Sequence, residues 1–291
     1  MRAALTRLAL IALRRSLPSR WESPILVPFV LLTISCASPT AGPATNSPAS
    51  GSVSGEIVVF AASSLADAFN ELGDRFKTDH PGATVSFNFA ASTQLFTQVD
   101  QGARADVFAS ADQVQMDRAK STNRIDGADV IFARNRLIII APASNPGGLS
   151  GPSDLAKPGL KLVTSQPDVP IGVYTQDMLD RMSRDPRFGP GFRDQVNANL
   201  VSQEANVRQI VAKVQLGEAD AGVVYKTDVT PQAGTQLTTF DIPDEFNTIA
   251  TYPIAAIQGA PNPAGAKAFI AYVLSPQGQA ILAKWNFIPA A

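Results

Sequence analysis

The sequence predicts an α/β fold in which parallel-rich sheets carry helices on both faces. From residue 56 onward, short apolar runs of strand length alternate with segments whose apolar residues recur at helical spacing. The chain has 291 residues, of which 45% are hydrophobic, so a large core can form in one domain or in two. Ligands of such folds lie at the carboxyl ends of strands, where helices begin.

Strand and helix signals follow one another in order through the first part of the domain. The strand at 57–61 is apolar throughout, and a helix with one apolar face begins after it. An Asp-His-Pro-Gly turn at 79–82 precedes a strand at 85–89, in which apolar and polar residues alternate. The elements predicted after this strand are a helix at 92–100, a strand at 105–109 and a helix at 113–120.

The same alternation continues to the end of the chain. The strands predicted there lie at 137–141, 160–164, 221–225 and 251–257. The predicted helices lie at 174–183, 207–216, 264–274 and 277–285. The predicted fold therefore covers everything after residue 55.

The amino-terminal segment has the layout of a signal peptide, which we place at residues 1–35. Five Arg residues precede a short apolar run at 25–34, which ends at Ser35-Cys36. This ending resembles a bacterial lipobox, in which the cysteine becomes the lipid-modified first residue after cleavage, so we expect Cys36 to be lipidated. A buried structural cysteine is the alternative. The Ser-, Pro- and Ala-rich residues 36–54 are predicted to form a flexible tether.

Composition excludes several classes of partner and site. Because five Arg and one Glu lie in 1–35, the remaining chain carries a net charge of about −5, which argues against nucleic acid. Cys36 is the only cysteine, so neither a disulfide framework nor a cysteine-based zinc site can form. We expect no cofactor, no direct metal ligands and a monomer.

The junction that follows the first strand has the character of an anion site. The strand runs directly into Ser63-Ser64 and then into the first turn of a helix. Backbone N–H groups and hydroxyls at such a junction point towards one place, and the helix dipole favours negative charge there. The alternative is structural, because Ser64 followed by Asp67 also fits a capping box that directs Asp67 towards the cap.

Three further segments and a tyrosine could supply more donors. Ser92 starts a helix after a strand, Ile171 lies in a Pro-Gly loop that opens another, and Val207 follows Asn206, a residue type that caps helices. Tyr225 ends a strand with a phenol. Each has a structural alternative: Ser92 as a cap, Ile171 as core, and Tyr225 as a packing residue with a satisfied hydroxyl. The case for a site depends on all of them meeting.

Three motifs in order resemble the periplasmic molybdate-binding proteins of ABC importers. They are Phe-Ala-Ala-Ser-Ser-Leu at 60–65, Phe-Ala-Ala-Ser-Thr at 89–93, and Gly-Ala-Arg-Ala-Asp-Val-Phe-Ala-Ser-Ala-Asp at 102–112. The segments at 169–174, 206–208 and 222–225 are also similar to that family. The resemblance covers about residues 55–290, which is the whole domain after the tether.

The resemblance implies a hinged, two-lobed periplasmic-binding-protein fold of type II with an oxyanion between the lobes. Lobe 1 would comprise 55–136 and 251–291, and lobe 2 would comprise 137–250. Molybdate, and with it tungstate, would be held by hydrogen bonds alone, and a membrane permease would receive the loaded form. The residues implied as ligands are Ser64, Ser92, Ile171, Val207 and Tyr225, with Ile171 and Val207 acting through their backbone amides.

The chemistry of these residue types suits a fully deprotonated oxyanion. Molybdate and tungstate present acceptor oxygens and no proton, so N–H and O–H donors satisfy them while a carboxylate would repel them. None of the five residues is acidic. With Cys36 lipidated, the protein would lie on the outer face of the cytoplasmic membrane.

Two alternatives differ from this interpretation in class. An enzyme would need a catalytic constellation, yet the single histidine, His80, lies in a predicted turn, and no Gly-x-Ser-x-Gly, Rossmann or Walker motif is present. A binding protein of the same fold for sulfate or another small anion is the second alternative, because fold alone does not determine the ligand.

Overall fold

The computed structural model describes residues 53–290. The predicted signal peptide, Cys36 and all but the last two residues of the tether lie outside the described residues. Among the residues described, no helix has the length and apolar character needed to span a bilayer.

Eleven strands and nine helices form the described part of the chain. The strands are β1 (Gly55–Ala62), β2 (Ala83–Ala90), β3 (Val107–Ala109), β4 (Ile125–Asn135), β5 (Leu137–Pro142), β6 (Leu162–Ser165), β7 (Leu200–Glu204), β8 (Ala221–Tyr225), β9 (Leu237–Asp241), β10 (Ala250–Ile257) and β11 (Ile288–Pro289). The helices are α1 (Ala66–Asp79), α2 (Ser92–Asp100), α3 (Gln113–Ser121), α4 (Pro170–Arg184), α5 (Phe192–Ala198), α6 (Val207–Gln215), α7 (Pro231–Gly234), α8 (Pro263–Leu274) and α9 (Pro276–Lys284).

The strands form two sheets, and each sheet is the centre of one lobe. The first sheet has the order β11-β4-β10-β3-β1-β2, and the second has the order β7-β6-β8-β5-β9. The chain enters the second sheet between β4 and β5 and returns to the first at β10. This architecture confirms the predicted α/β, two-lobed type II fold.

The sheets are mixed, which corrects the expectation of parallel-rich sheets. In the first sheet β1 pairs in parallel with β2 and β3, while β10 pairs antiparallel with β3 and β4. In the second, β6 pairs in parallel with β7 and β8, while β5 pairs antiparallel with β8 and β9. The parallel pairs come from strand–helix–strand units, whereas β4, β5 and β10 adjoin the crossings between lobes, where no crossover helix sets their direction.

Most of the helices pack an apolar face against a sheet, whereas α5 packs against α4. On α1, Phe69 and Phe76 are fully buried and contact Phe269 of α8, with ring centroids 6.0 and 5.5 Å apart. Burying one such ring removes enough apolar surface from water to contribute about 2–3 kcal/mol. This packing holds α1 against α8.

Candidate functional site

A small cavity lies between the lobes, at the carboxyl ends of strands from both sheets. The free space there, counted together with its opening to solvent, is about 210 Å³. All five residues predicted from the sequence line it: Ser64, Ser92, Ile171, Val207 and Tyr225. The other lining residues are Ala62, Ser63, Ala90, Ala91, Ala111, Val169 and Pro170. The structure thus brings together residues that lie up to 161 positions apart.

Ser64 lies in a one-turn 3-10 helix, Ser63–Leu65, between β1 and α1. Its hydroxyl is 2.9 Å from the hydroxyl of Tyr252, and neither α1 nor the 3-10 turn has a side-chain cap. The capping-box interpretation of Ser64 and Asp67 is therefore wrong. Asp67 does not turn back to the helix start, because its carboxylate pairs with Arg208 of the other lobe instead.

Ser92 is the first residue of α2, and its side chain does not cap that helix. Its Oγ accepts a hydrogen bond from the backbone N–H of Ala111 at 2.9 Å, and Ser92 is almost completely buried. The bond ties the end of β2 to the segment after β3. A lone pair of Ser92 is thereby occupied, which leaves its hydroxyl hydrogen to be donated elsewhere.

Two helix starts in the second lobe, those of α4 and α6, bring Ile171 and Val207 to the cavity. The first intrahelical bond of α4 is donated by Val173 to the carbonyl of Val169, so the amide of Ile171 precedes the helical ladder. Asn206 caps α6, as predicted, by accepting hydrogen bonds from the amides of Arg208 and Gln209. The amide of Val207 is left outside that cap.

Gly172 allows the start of α4 to lie against the end of β6. A Cβ at this position would come within 2.1 Å of the carbonyl oxygen of Gln166 and 3.1 Å of that of Ser165. Real side chains do not tolerate such contacts, so only glycine permits this approach. The position of the Ile171 amide therefore depends on the residue that follows it.

Tyr225 ends β8 and is only 2% exposed, yet its hydroxyl has no hydrogen-bond partner among the described residues. Its ring packs edge-on against Tyr174 and Tyr252, with centroids 6.4 and 5.9 Å away. Burial raises the pKa of the phenol well above its ordinary value, so the group keeps its proton. The alternative was that Tyr225 is a packing residue with a satisfied hydroxyl. It does not hold, because the buried hydroxyl lacks the partner among the described residues that such a group needs.

Among the residues that the structure describes, no charged side chain lines the cavity, but a cluster of charges lies beside it. Arg208 of α6 is bonded to Asp67 of α1 at 2.5 Å and is 3.2 Å from both Asp228 and the carbonyl oxygen of Ser63. We call Arg208, Asp67 and Asp228 the Arg208 cluster. Burial raises the pKa of Asp228 to about 6, although Arg208 opposes the rise. Two carboxylates hold the guanidinium, so it is not free to neutralise a ligand.

Sequence reasoning missed the Arg208 cluster and the partners of Ser64. Asp67 and Arg208 are 141 positions apart, and no local pattern connects them. The only signal available was that Asp67 and Arg208 each lie in the first turn of a predicted helix. Charged residues at such positions are ordinarily solvated, so this signal did not indicate that the two are paired.

A two-sheet α/β fold with a cavity between its lobes is the architecture of type II solute-binding proteins. The sequence agrees, because residues 57–288 match the family model described as bacterial extracellular solute-binding protein. The chain belongs to this family.

Individual relatives bear names that specify a ligand. The chain is 40% identical over 248 residues to the molybdate-binding protein ModA of Mycobacterium tuberculosis, covering 84% of this chain and 90% of that protein. The solved periplasmic molybdate-binding protein of Azotobacter vinelandii superposes with a TM-score of 0.71 at 19% identity, covering 81% of this chain and 100% of that one. The sulfate-binding protein SubI of Mycobacterium tuberculosis superposes with a TM-score of 0.72 at 18% identity, covering 81% and 87%. The structural likenesses show the fold, while the 40% identity carries the closer relationship.

Proposed function

We propose that the protein captures molybdate, and with it tungstate, in the cavity between its lobes and delivers it to an ABC permease. The observation that carries this proposal is the convergence of Ser64, Ser92, Ile171, Val207 and Tyr225 on one small cavity whose wall has no charged side chain. Three hydroxyls and two amides suit an ion that only accepts hydrogen bonds. The sequence identity to a molybdate-binding relative supports molybdate as that ion.

The two-lobed arrangement supports a closure mechanism for this capture. Ser64 and Ser92 follow strands of the first sheet, whereas the other three donors belong to the second. All of the ligand's oxygens are satisfied only when the lobes are together, so the bound ion shifts the population to the closed form. We propose that the lobes divide as 55–136 with 251–291 and 137–250, and that the permease recognises the closed form.

We further propose that the protein is a carrier and not an enzyme, and that a lipid on Cys36 holds it at the outer face of the cytoplasmic membrane. Within residues 53–290, no three His, Cys, Asp or Glu side chains are grouped as a metal site would require. Release of the Cys36→Ser chain from the membrane fraction would support the anchor, and its retention there would contradict it.

Calorimetry of the full chain with molybdate, tungstate, sulfate and phosphate tests the ligand. We expect molybdate and tungstate to bind at least about 100-fold more tightly than the other two, a difference of about 2.7 kcal/mol. Sulfate binding of equal affinity would replace the molybdate proposal by the sulfate alternative. No heat with any of the four would refute the site.

The Tyr225→Phe variant tests the unpartnered hydroxyl. It removes one charge-assisted hydrogen bond to the anion, worth roughly 1.5–3 kcal/mol, so molybdate affinity should fall about 10- to 100-fold. The melting temperature without ligand should not fall, because the hydroxyl has no partner to lose. A drop in stability with unchanged affinity would make Tyr225 a packing residue only.

A further inference from the structure

A buried chain of hydrogen bonds leads from the crossing between the lobes to the cavity wall. Its members are Asn135, the last residue of β4, Tyr252 of β10, and Ser64. Asn135 and Tyr252 are fully buried, and Ser64 is 3% exposed. Neither Asn135 nor Tyr252 lines the cavity, and of the three residues in this chain of hydrogen bonds only Ser64 does.

The direction of the chain is set at Asn135. The side-chain oxygen Oδ1 accepts the backbone N–H of Arg136 at 2.9 Å, which fixes the orientation of the amide. The nitrogen Nδ2 therefore faces Thr227 Oγ1 at 2.8 Å and the Tyr252 hydroxyl at 3.3 Å. An amide nitrogen only donates, so the hydroxyl of Tyr252 accepts from Asn135.

Tyr252 passes this direction on to Ser64. Burial raises the pKa of its phenol well above the ordinary value, so the hydroxyl retains its hydrogen. Among the described residues, Ser64 Oγ at 2.9 Å is the one remaining hydrogen-bond partner for that hydrogen. Tyr252 therefore donates to Ser64, and the hydrogen of Ser64 is free to point into the cavity.

We propose that Asn135 and Tyr252 are positioning residues that turn Ser64 into a donor towards the bound ion, and that they thereby favour fully deprotonated oxyanions. The inference rests on the proposed function, since it concerns the selectivity of the same cavity. Ser92 is also left with its hydroxyl hydrogen available as a donor, because its oxygen accepts a hydrogen bond from the Ala111 amide.

Donor polarity separates anions that have similar shape and charge. Molybdate and sulfate present four oxygens that only accept, whereas hydrogen phosphate also carries a hydrogen that needs an acceptor. In a cavity that offers only donor hydrogens, the hydrogen of hydrogen phosphate finds no acceptor, and a buried hydrogen-bonding group without a partner costs free energy. A serine released from Tyr252 can rotate and offer a lone pair instead.

The Tyr252→Phe variant tests the proposal with little disturbance of packing. The ring would keep its edge-on contacts with Phe132, Tyr225 and Phe287, at centroid distances of 6.3, 5.9 and 5.4 Å. Calorimetry at a pH where phosphate carries one proton should show a loss of about tenfold for molybdate and sulfate. We expect little or no loss of affinity for hydrogen phosphate. The ratio of the molybdate affinity to the hydrogen phosphate affinity should therefore fall by about tenfold.

A second variant reverses the chain, and a third serves as the control. In Asn135→Asp the new carboxylate accepts from Tyr252, so the Tyr252 oxygen accepts from Ser64 and the Ser64 hydrogen is drawn away from the cavity. Molybdate and sulfate should again lose more affinity than hydrogen phosphate. Tyr272→Phe removes a half-buried hydroxyl on α8 that does not line the cavity, and it should change no affinity.

The outcomes separate this inference from the proposed function. Equal losses for all anions in both variants would reduce Asn135 and Tyr252 to a purely structural role and overturn the proposal. Unchanged affinities would overturn it as well. If the unaltered chain binds none of the anions, the proposed function fails, and the selectivity inference fails with it.

Discussion

Replacing Arg208 with methionine should lower the free energy of unfolding by about 3 kcal/mol, because the buried Asp228 must then either stay charged without its counter-ion or take up a proton. Asp228 has no exposed surface in its side chain, and Arg208 is its only cationic partner among the described residues. Methionine keeps most of the apolar stem, so the loss is due mainly to charge. Chemical denaturation of the two chains at neutral pH measures the difference.

The loss of stability in Arg208→Met should become smaller as the pH falls, because it arises from the charge of Asp228. Burial raises the pKa of Asp228 in the folded state to about 6, whereas its unfolded value is roughly 3.9. As the pH rises through this interval, the charged form of Asp228 increasingly opposes folding. Without Arg208 this pKa rises further, and a protonated Asp228 no longer needs the guanidinium. A deficit that stays equal at acidic and alkaline pH would assign the effect to packing and not to charge.

The same variant should open the protein in the absence of ligand. Arg208 belongs to the second lobe, whereas Asp67 and the Ser63 carbonyl belong to the first, so these contacts hold the lobes together. Small-angle scattering should show a larger radius of gyration for Arg208→Met without ligand. Arg193→Met is the matched control, because the Arg193–Asp180 pair lies within one lobe and is half-exposed. Arg193→Met should lower the free energy of unfolding by less than about 1 kcal/mol and leave the radius of gyration unchanged.

Gly172→Ala should lower molybdate affinity at least about 100-fold, equivalent to about 2.7 kcal/mol. The added methyl would lie 2.1 Å from the Gln166 carbonyl oxygen, so the start of α4 must move away from β6. That movement carries the Ile171 amide out of the cavity wall. Overpacking should also cost about 1–3 kcal/mol of stability.

Gly191→Ala is the matched glycine control. It has a negative φ, and an added Cβ would meet nothing closer than Gln195 Nε2 at 3.6 Å. Its affinity and stability should be close to those of the unaltered chain. Unchanged affinity in Gly172→Ala would mean that the Ile171 amide does not contact the ion.

Local sequence signals marked the residues of the cavity wall as candidates, because each lies at a strand end or a helix start of its own. Ser64 and Ser92 follow apolar strands directly, and Asn206 marks a helix start that the structure confirms. Such junctions are visible within a few residues. That five of them line one cavity follows from the topology, which the resemblance to a known family supplied. Their contact with an ion stays a prediction.

Contacts between distant segments were beyond local reasoning. Strand β4 was missed because its residues 126–128, Asp-Gly-Ala, are exposed and include turn-forming residues, and its apolar run comes only in the second half. Asp67 was placed at its own helix start because a nearby serine was the only partner the sequence showed. The actual partner, Arg208, becomes available only when the lobes meet. Tyr252 likewise reaches Ser64 across 188 positions.

The uncharged wall of the cavity has a consequence for the rate of capture. No cationic side chain in the wall draws a dianion in, and the chain after residue 35 carries a net charge of about −5. The long-range field therefore repels the ion during its approach, and dissolved salt screens that repulsion. The association rate should increase with ionic strength, the opposite of what a site that attracts anions by net positive charge would show. Short-range dipoles, and not the overall field, then retain the ion after it has arrived.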